Sequence, residues 1–100
     1  MEINILEQNN EKIVSIKGRM DTITASDLEM KICQIWSEPN ITVVFDCAEM
    51  EYISSSGLRI ILSTQKHVTA AGGKFILRNV KSEVYSVIEL TGFSRILTIE

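Results

Sequence analysis

The stretch ITVVFD (Ile41–Asp46) decides the predicted fold, together with YISSSGLR (Tyr52–Arg59) a few residues later. The first segment is short, β-branched and almost wholly apolar, which is typical of a central strand covered on both faces. Over Leu58–Val68 the apolar residues recur at helical spacing. A buried strand that leads into a helix is the repeating unit of an α/β sheet, so this part of the chain predicts one βα unit.

The alternation of strand and helix continues toward the C-terminus. Gly72 and Gly73 are suited to a left-handed helix end, so they predict the end of the second helix. Lys74–Arg78 (KFILR) is predicted to be a strand. A third helix is predicted over Ser82–Gly92, and Arg95–Ile99 (RILTI) is predicted to be an edge strand.

The segments before Ile41 predict a hairpin and one helix. Strand-like apolar residues flank the polar turn Gln8–Glu11, and Gly18 is expected to close the second strand. Thr24–Asp27 (TASD) has the form of a capping box, with a hydroxyl at the N-cap and a carboxylate three residues later. Apolar residues then recur at helical spacing until Pro39 stops the helix.

The predicted element order is therefore ββαβαβαβ. Alternating βα units require right-handed crossovers between parallel strands, whereas the hairpin adds one antiparallel strand. We predict an α/β fold with one mixed β-sheet and helices packed against it. No linker is visible, so residues 1–100 are expected to form a single domain.

Composition restricts the partners and the compartment. The chain has 100 residues, with 10 Lys and Arg against 13 Asp and Glu and a net charge of −3. The basic residues are scattered, so nucleic acid is not expected as a partner. No basic leader and no membrane-spanning apolar run is visible, so we expect a cytoplasmic protein without direct membrane insertion. Cys33 and Cys47 belong to no metal-binding motif and are expected to be free thiols.

In such sheets the functional residues tend to lie where the carboxyl ends of strands lead into helices. For the central strand that place is Asp46–Ser56, which is predicted to be an exposed loop. A nucleophile elbow would require GxSxG with a histidine within reach, but the window Ile53–Gly57 lacks the leading glycine. The single histidine, His67, lies roughly 15 Å further along the helix at 1.5 Å per residue. We therefore do not expect an enzyme.

Phosphate-binding loops and metal sites are also poorly supported by the sequence. Gly57 alone satisfies neither of the glycine-rich phosphate-binding patterns. The carboxylates Asp46, Glu49 and Glu51 lack a histidine or another ligand at a metal-binding spacing. No cofactor is therefore expected.

Two interpretations remain for the serines. Ser55 is predicted to be the helix N-cap, where its hydroxyl accepts from the N–H of Gly57 or Leu58 and stabilises the helix by about 1 kcal/mol. This explains one hydroxyl and leaves Ser54 and Ser56 unexplained. The alternative adds a phosphate to the cap. A phosphoserine carries about −1.5 to −2 charges, which a helix N-terminus tolerates and a docked partner does not.

Four segments resemble the STAS domain proteins of the bacterial anti-sigma-factor antagonist family. Gly18–Ala25 (GRMDTITA) resembles the family's G-x-x-D-x-x-x-A opening to the first helix. Phe45–Asp46 followed by Tyr52–Leu58 (YISSSGL) resembles its central strand and its D-S-[ST]-G-L phosphorylation loop. Ala71–Gly73 and Leu90–Phe93 (LTGF) complete a resemblance that covers essentially the whole chain.

The resemblance implies a STAS-like domain over residues 1–100 that switches between partners. In this family the unphosphorylated antagonist binds an anti-sigma factor that is also a serine kinase, and this frees a sigma factor. The kinase phosphorylates a serine, and a metal-dependent serine phosphatase reverses the modification. Transferred to this chain, the acceptor is Ser55, with Ser56 as the second choice, and Asp21 would lie near it. The resemblance also implies a monomer.

Three positions depart from the family pattern. Ser54 stands where many members have aspartate, which removes a negative charge beside the acceptor and can shift which serine is modified. Arg19 and Arg59 stand where well-known members have Glu and Gly, so partner specificity should differ. The alternative function is a STAS module that is never phosphorylated and serves as a fixed docking subunit of a transporter or lipid-transport assembly.

A surface that binds the partner is expected around the serines. Its predicted members are Met20, Asp21, Ile23, Met50, Tyr52, Ser54, Ser55, Ser56, Gly57 and Arg59. Core packing is the competing interpretation for Met50 and for Ile53, and for Ile53 it is preferred. Replacing Arg59 with Glu should weaken partner binding while thermal stability stays nearly unchanged.

Overall fold

Asn9 and Asn10 form the tight turn of an N-terminal β-hairpin in the computed structural model, which describes residues 2–100. Both residues have positive φ, 50° and 65°, as a two-residue type I′ turn requires, and asparagine tolerates this conformation. The turn joins β1 (Glu2–Gln8) to β2 (Glu11–Met20) in antiparallel pairing. The predicted hairpin is therefore confirmed.

The elements after the hairpin alternate between helix and strand, in the predicted order ββαβαβαβ. Their bounds are α1 Thr22–Ile32, a 3-10 segment Cys33–Ser37, β3 Thr42–Ile53, α2 Ser55–Ala70, β4 Lys74–Arg78, α3 Ser82–Leu90, a 3-10 turn Phe93–Arg95 and β5 Thr98–Ile99. The strands form one sheet in the order β1-β2-β3-β4-β5. The β1 and β2 strands are antiparallel, and all other neighbouring strands are parallel, so the predicted mixed sheet is confirmed.

The central strand of the sheet is β3, and it supplies much of the core. Val43, Val44 and Phe45 are fully buried, as expected of an apolar strand covered on both faces. The ring of Phe45 meets that of Phe75 on β4 edge-on, with 4.8 Å between the ring centres. The α2 helix packs against β3, β4 and α1, and α3 packs against β3. The start of α2 therefore rests on the most buried strand of the fold.

Both strands that lead to the first two helices are longer than predicted. The region Asp46–Ser56 is not an exposed loop, because β3 continues to Ile53 in parallel pairing with β2. Nor does Gly18 close β2, which extends to Met20. Gly18 instead has a φ of 104°, at a point where the pairing register of β2 and β3 shifts. Because pairing continues past this bulge, both helices start directly at the carboxyl ends of β2 and β3.

Three other boundaries also differ from the prediction. The α1 helix ends at Ile32, and the chain reaches Pro39 through the 3-10 segment Cys33–Ser37. The edge strand is only Thr98–Ile99, because Phe93–Arg95 forms a 3-10 turn that bends the chain before it can pair with β4. The α3 helix ends at Leu90 and not at Gly92, which has a φ of 81° and follows the helix end. None of these differences changes the order of the elements.

Candidate functional site

Two helix N-termini lie side by side where β2 and β3 end. The backbone N–H of Ser54 donates to the carbonyl oxygen of Met20 at 2.8 Å, which joins the residue after β3 to the last residue of β2. The hydroxyl oxygens of Thr22 and Ser56 lie 3.3 Å apart, and this contact links the first turn of α1 to that of α2. Open α/β sheets bind their ligands at such carboxyl ends of parallel strands.

Ser54, and not Ser55, caps α2. Its backbone is extended (φ −94°, ψ 173°), and its Oγ accepts a hydrogen bond from the N–H of Gly57 at 3.2 Å. The predicted cap is therefore wrong by one position. The physical reason is that β3 continues to Ile53 and the bond to Met20 holds Ser54 in extended conformation directly after it, so the helix begins at Ser55, one residue earlier than a cap on Ser55 would allow.

The three serine hydroxyls have different surroundings. That of Ser54 is used by the cap, and Ser56 is half-buried with its hydroxyl against Thr22. Ser55 is exposed at the first helical position, and its hydroxyl makes no side-chain hydrogen bond within residues 2–100. Ser55 therefore presents the most accessible hydroxyl of the three.

Gly57 is the third residue of α2 and lies against the core. A Cβ atom at this position would come within 2.7 Å of Met20 Sδ and 2.9 Å of Ile53 Cγ1. Both neighbours are buried, so little space is available into which they could shift. The absence of a side chain therefore lets the start of α2 approach the ends of β2 and β3, which explains the glycine that follows the serines.

Asp21 caps α1 as Ser54 caps α2, but with a carboxylate. Its Oδ1 accepts from the backbone N–H groups of Ile23 and Thr24, both at 3.1 Å, and Thr24 Oγ1 accepts from the Asp21 N–H at 2.8 Å. This is a complete capping box. The predicted box at Thr24–Asp27 is therefore wrong by three positions, since Thr24 is the last member and not the first. Hydrogen bonds from Thr24, first from its backbone N–H, lower the pKa of the Asp21 carboxyl.

Two arginines and two apolar side chains surround the serines at the surface. The guanidinium of Arg19 lies 4.1 Å from the ring centre of Tyr52, which is paired with it across β2 and β3. Arg59 is exposed on the second turn of α2. Ile23 is 78% exposed and Tyr52 39% exposed, although both are large and hydrophobic. Aromatic, apolar and arginine side chains of this kind are enriched where proteins bind one another.

Three residues predicted to lie on the partner-binding surface belong to the core instead. Met20 and Met50 are both 0% exposed, so their assignment to a contact surface is wrong. Gly57 is buried as well and acts through packing. Ile53 is buried, as preferred from the sequence. The side chains that remain at the surface, with Arg19 and Thr22 added from the structure, form the candidate site for a partner and are called the docking surface below: Arg19, Asp21, Thr22, Ile23, Tyr52, Ser54, Ser55, Ser56 and Arg59.

Thr22 was not identified from the sequence, and neither was the contact of Arg19 with Tyr52. Both contacts join β2 or α1 to segments that follow much later in the chain. Only the parallel register of β2 and β3 places these residues opposite one another. The position of Thr22 directly after an aspartate cap was the one local feature that could have indicated it.

The other groups with possible reactivity lie elsewhere in the fold. The ring of His67 stacks on that of Trp36, with 4.5 Å between ring centres. Cys33 is exposed and Cys47 is buried, and both are free thiols as predicted. Burial raises the pKa of the Cys47 thiol to about 12, which leaves it protonated and unreactive. Within residues 2–100, no three His, Cys, Asp or Glu side chains are grouped to hold a metal ion, and none of the helices is long and apolar enough to cross a membrane.

The whole described chain matches one protein family. The family model described as the STAS domain matches residues 2–100. BtrV of Bordetella bronchiseptica is 30% identical over 87 residues, which are 87% of this chain and 75% of that protein. The anti-sigma-B factor antagonist of Bacillus subtilis is 29% identical over 101 residues and covers 99% of this chain and 92% of its own length.

Solved structures agree with the family match. The crystal structure of an anti-sigma factor antagonist from Mycobacterium paratuberculosis superposes with a TM-score of 0.85 at 25% identity and covers 98% of this chain and 83% of its own. The five-stranded mixed sheet and the three helices found here match this fold. On the match over residues 2–100, the chain belongs to the STAS domain family.

Proposed function

We propose that this chain is an anti-sigma-factor antagonist whose binding is controlled by phosphorylation of Ser55. The unphosphorylated form binds an anti-sigma factor that is also a serine kinase, and a sigma factor is thereby released in the cytoplasm. Phosphorylation of Ser55 blocks this binding, and a metal-dependent serine phosphatase restores it. The similarity to relatives named anti-sigma factor antagonists supports the general role.

The position of Ser55 carries the proposal. Of three consecutive hydroxyls, that of Ser54 is used as the cap and that of Ser56 faces Thr22, whereas that of Ser55 is exposed. A phosphate on Ser55 leaves the cap on Ser54 in place, so the start of α2 can keep its structure. Ser55 is therefore proposed as the acceptor in preference to Ser56.

A phosphate on Ser55 changes the charge of the docking surface much more than it changes the fold. It adds about −1.5 to −2 charges to a surface that also carries the carboxylate of Asp21, whose lowered pKa keeps it ionised at neutral pH. A bound partner must then remove water from a dianion or place its own groups against it. A loss of about 3 kcal/mol in binding free energy corresponds to on the order of a hundredfold in affinity.

The rest of the docking surface fits a partner with apolar and acidic groups. Ile23 and Tyr52 provide exposed apolar area, and Arg19 and Arg59 provide positive charge. Because Arg59 is exposed on α2, replacing it changes the surface without opening the core. Arg59→Glu should therefore weaken binding of the partner with little change in melting temperature. Equal losses of binding and of melting temperature would mean that Arg59 is a structural residue.

Phosphorylation itself is tested by intact mass. The chain is incubated with ATP and an extract of its source organism, and a single added phosphate is expected. Ser55→Ala should abolish the added mass, whereas Ser56→Ala, the matched control on the next residue, should retain it. A phosphate that persists on Ser55→Ala would show that the acceptor is misassigned.

The switch in binding is tested by comparing Ser55→Ala with Ser55→Asp in a pull-down with the anti-sigma factor. Ser55→Ala should retain the anti-sigma factor, and Ser55→Asp, which carries a negative charge at the same position, should lose most of it. Equal retention by the two variants, with no phosphate ever gained by the wild type, would contradict the switch. That result would instead support a fixed docking subunit of a transporter or lipid-transport assembly.

A further inference from the structure

We propose that a phosphate on Ser55 is bound within the same helix by Arg59. Phosphorylation then has two effects on the docking surface, because it adds a negative charge and also withdraws a positive one. This inference rests on the proposed function, in which Ser55 is the acceptor. It adds a role for Arg59 in the phosphorylated state.

The spacing on α2 places the two side chains together. Ser55 is the first residue of the helix and Arg59 follows four residues later, so the two lie on the same face, with Cβ atoms about 5 to 6 Å apart. Side chains on a helix lean toward its N-terminus, so a long side chain at position 59 extends over the turn that contains Ser55. Both residues are exposed, so neither side chain is held in the core.

Arg59 is available to bind the phosphate, because it forms no ion pair with another side chain in the described residues. Three ion pairs occur within residues 2–100, Lys12 with Glu7, Lys12 with Glu38 and Arg78 with Glu100, and none of them involves Arg59. Two other charged groups of the docking surface already have partners. The Asp21 carboxylate accepts hydrogen bonds from its own helix, and Arg19 lies over the ring of Tyr52.

The chemistry of residues 55 and 59 favours their binding only when Ser55 is phosphorylated. Arginine offers a planar fork of N–H donors that binds two phosphate oxygens at once, and an acidic group four residues before a basic one is the favourable orientation on a helix. The neutral hydroxyl of Ser55 provides no such partner. Arg59 is therefore available to an acidic partner protein before phosphorylation and is bound to the phosphate after it.

The test uses the full chain with phosphoserine incorporated at position 55 during synthesis, so that it needs neither the kinase nor the partner. The second pKa of the phosphate, ordinarily about 6, is measured by phosphorus NMR in the wild type and in Arg59→Gln. We expect it to be roughly half a pH unit lower in the wild type, because the guanidinium favours the dianion. Lys66→Gln is the matched control, since it removes one exposed positive charge that lies about three turns along α2 from Ser55.

The control and a conservative variant decide between outcomes. Lys66→Gln should leave the phosphate pKa at the wild-type value, and Arg59→Lys should give an intermediate value, because lysine keeps the charge and lacks the fork. Phosphorylation should also shift the nitrogen and proton NMR signals of the Arg59 Nε–H group. Equal phosphate pKa values in the wild type and Arg59→Gln would overturn the inference. It would also be overturned if Lys66→Gln changed the phosphate pKa as much as Arg59→Gln does, because the shift would then reflect net charge and not a contact with Arg59. Neither result would affect the proposed function, which fails if the phosphorylated and unphosphorylated chains bind the partner equally.

Discussion

The α1 and α2 helices start side by side, and each is capped by the residue that follows a strand, yet the two starts are built differently. In α1 the cap is Asp21, and the third helical residue, Thr24, returns a hydrogen bond to the backbone of the cap. In α2 the cap is Ser54, and the third helical residue is Gly57, which has no side chain to return one. Hydrogen bonds within the helix therefore complete the start of α1, whereas packing against the core completes that of α2.

The difference explains where a modification can be accommodated. At the first helical position, Thr22 of α1 has its hydroxyl against Ser56, whereas Ser55 of α2 has its hydroxyl in solvent. Because the cap of α2 is on Ser54 and the close packing is at Gly57, neither depends on Ser55. The two starts together show that a charge can be added at Ser55 with the least disturbance to the helices.

Among variants at the two helix starts, Gly57→Ala should lower the free energy of unfolding most. The new Cβ meets Met20 and Ile53 at under 3.0 Å, so we expect the free energy of unfolding to fall by about 1 to 3 kcal/mol. Urea denaturation measures this loss. Thr24→Ala at the equivalent position of α1 is the control, with an expected loss of about 1 kcal/mol because the hydrogen bonds of its hydroxyl are lost. A Gly57→Ala variant as stable as the wild type would show that packing does not hold the start of α2.

The next largest effect should be the difference in unfolding free energy between Ser54→Ala and Ser55→Ala. Ser54→Ala removes the cap and should lower the free energy of unfolding by about 1 kcal/mol. Ser55→Ala removes an exposed hydroxyl with no structural partner and should change it by less than about 0.5 kcal/mol. Thermal denaturation of both variants provides the measurement. The reverse ranking would place the cap on Ser55.

Acid should weaken the cap of α1 and not that of α2. Hydrogen bonds lower the pKa of Asp21 in the folded state, so its carboxylate stabilises the fold above its unfolded pKa of about 3.9. This contribution is lost as the pH falls through the lower, folded pKa. The difference in unfolding free energy between wild type and Asp21→Asn should be constant above about pH 5 and shrink below about pH 4.

Ser54→Ala is the control for the acid experiment, since a serine cap does not titrate and its effect should stay the same over this range. The measurement is urea denaturation at a series of pH values. A difference between wild type and Asp21→Asn that does not change with pH would contradict a charged cap on α1.

The contact between the two starts should give the smallest effect. A double-mutant cycle with Thr22→Val and Ser56→Ala removes the contact at 3.3 Å between the two hydroxyls, and we expect a coupling of about 0.5 kcal/mol or less. Thermal denaturation of the single and double variants measures it. A coupling of zero would mean that the contact between the two hydroxyls does not help to hold the two starts together.

The elements predicted best are those with a complete local pattern. The β4 strand has the predicted bounds Lys74–Arg78, and α3 starts at Ser82 as predicted. Gly72 has the positive φ expected at a helix end. In these segments the turn residues and the apolar periodicity lie next to one another in the chain, so no distant contact is needed to place them.

The helix caps were predicted less well, for a physical reason. A polar residue becomes an N-cap only where extended backbone stops, and for Ser54 and Asp21 that point depends on how far β2 and β3 remain paired. Pairing continues past the register shift at Gly18 for two more residue pairs, Arg19 with Tyr52 and Met20 with Ile53. Met20 and Met50 both lie in the paired strands and are core residues, which a local pattern of polar and apolar letters does not show.

The order of strands and helices, the STAS resemblance and the run of three serines followed by a glycine were determined by the sequence alone. These features can be read locally because periodicities and turn residues act over a few positions. Which serine caps the helix, which contacts Thr22 and which remains exposed was decided by the parallel register of β2 and β3. That register brings together residues more than thirty positions apart, as in the contact of Thr22 with Ser56, and only the folded sheet can set it.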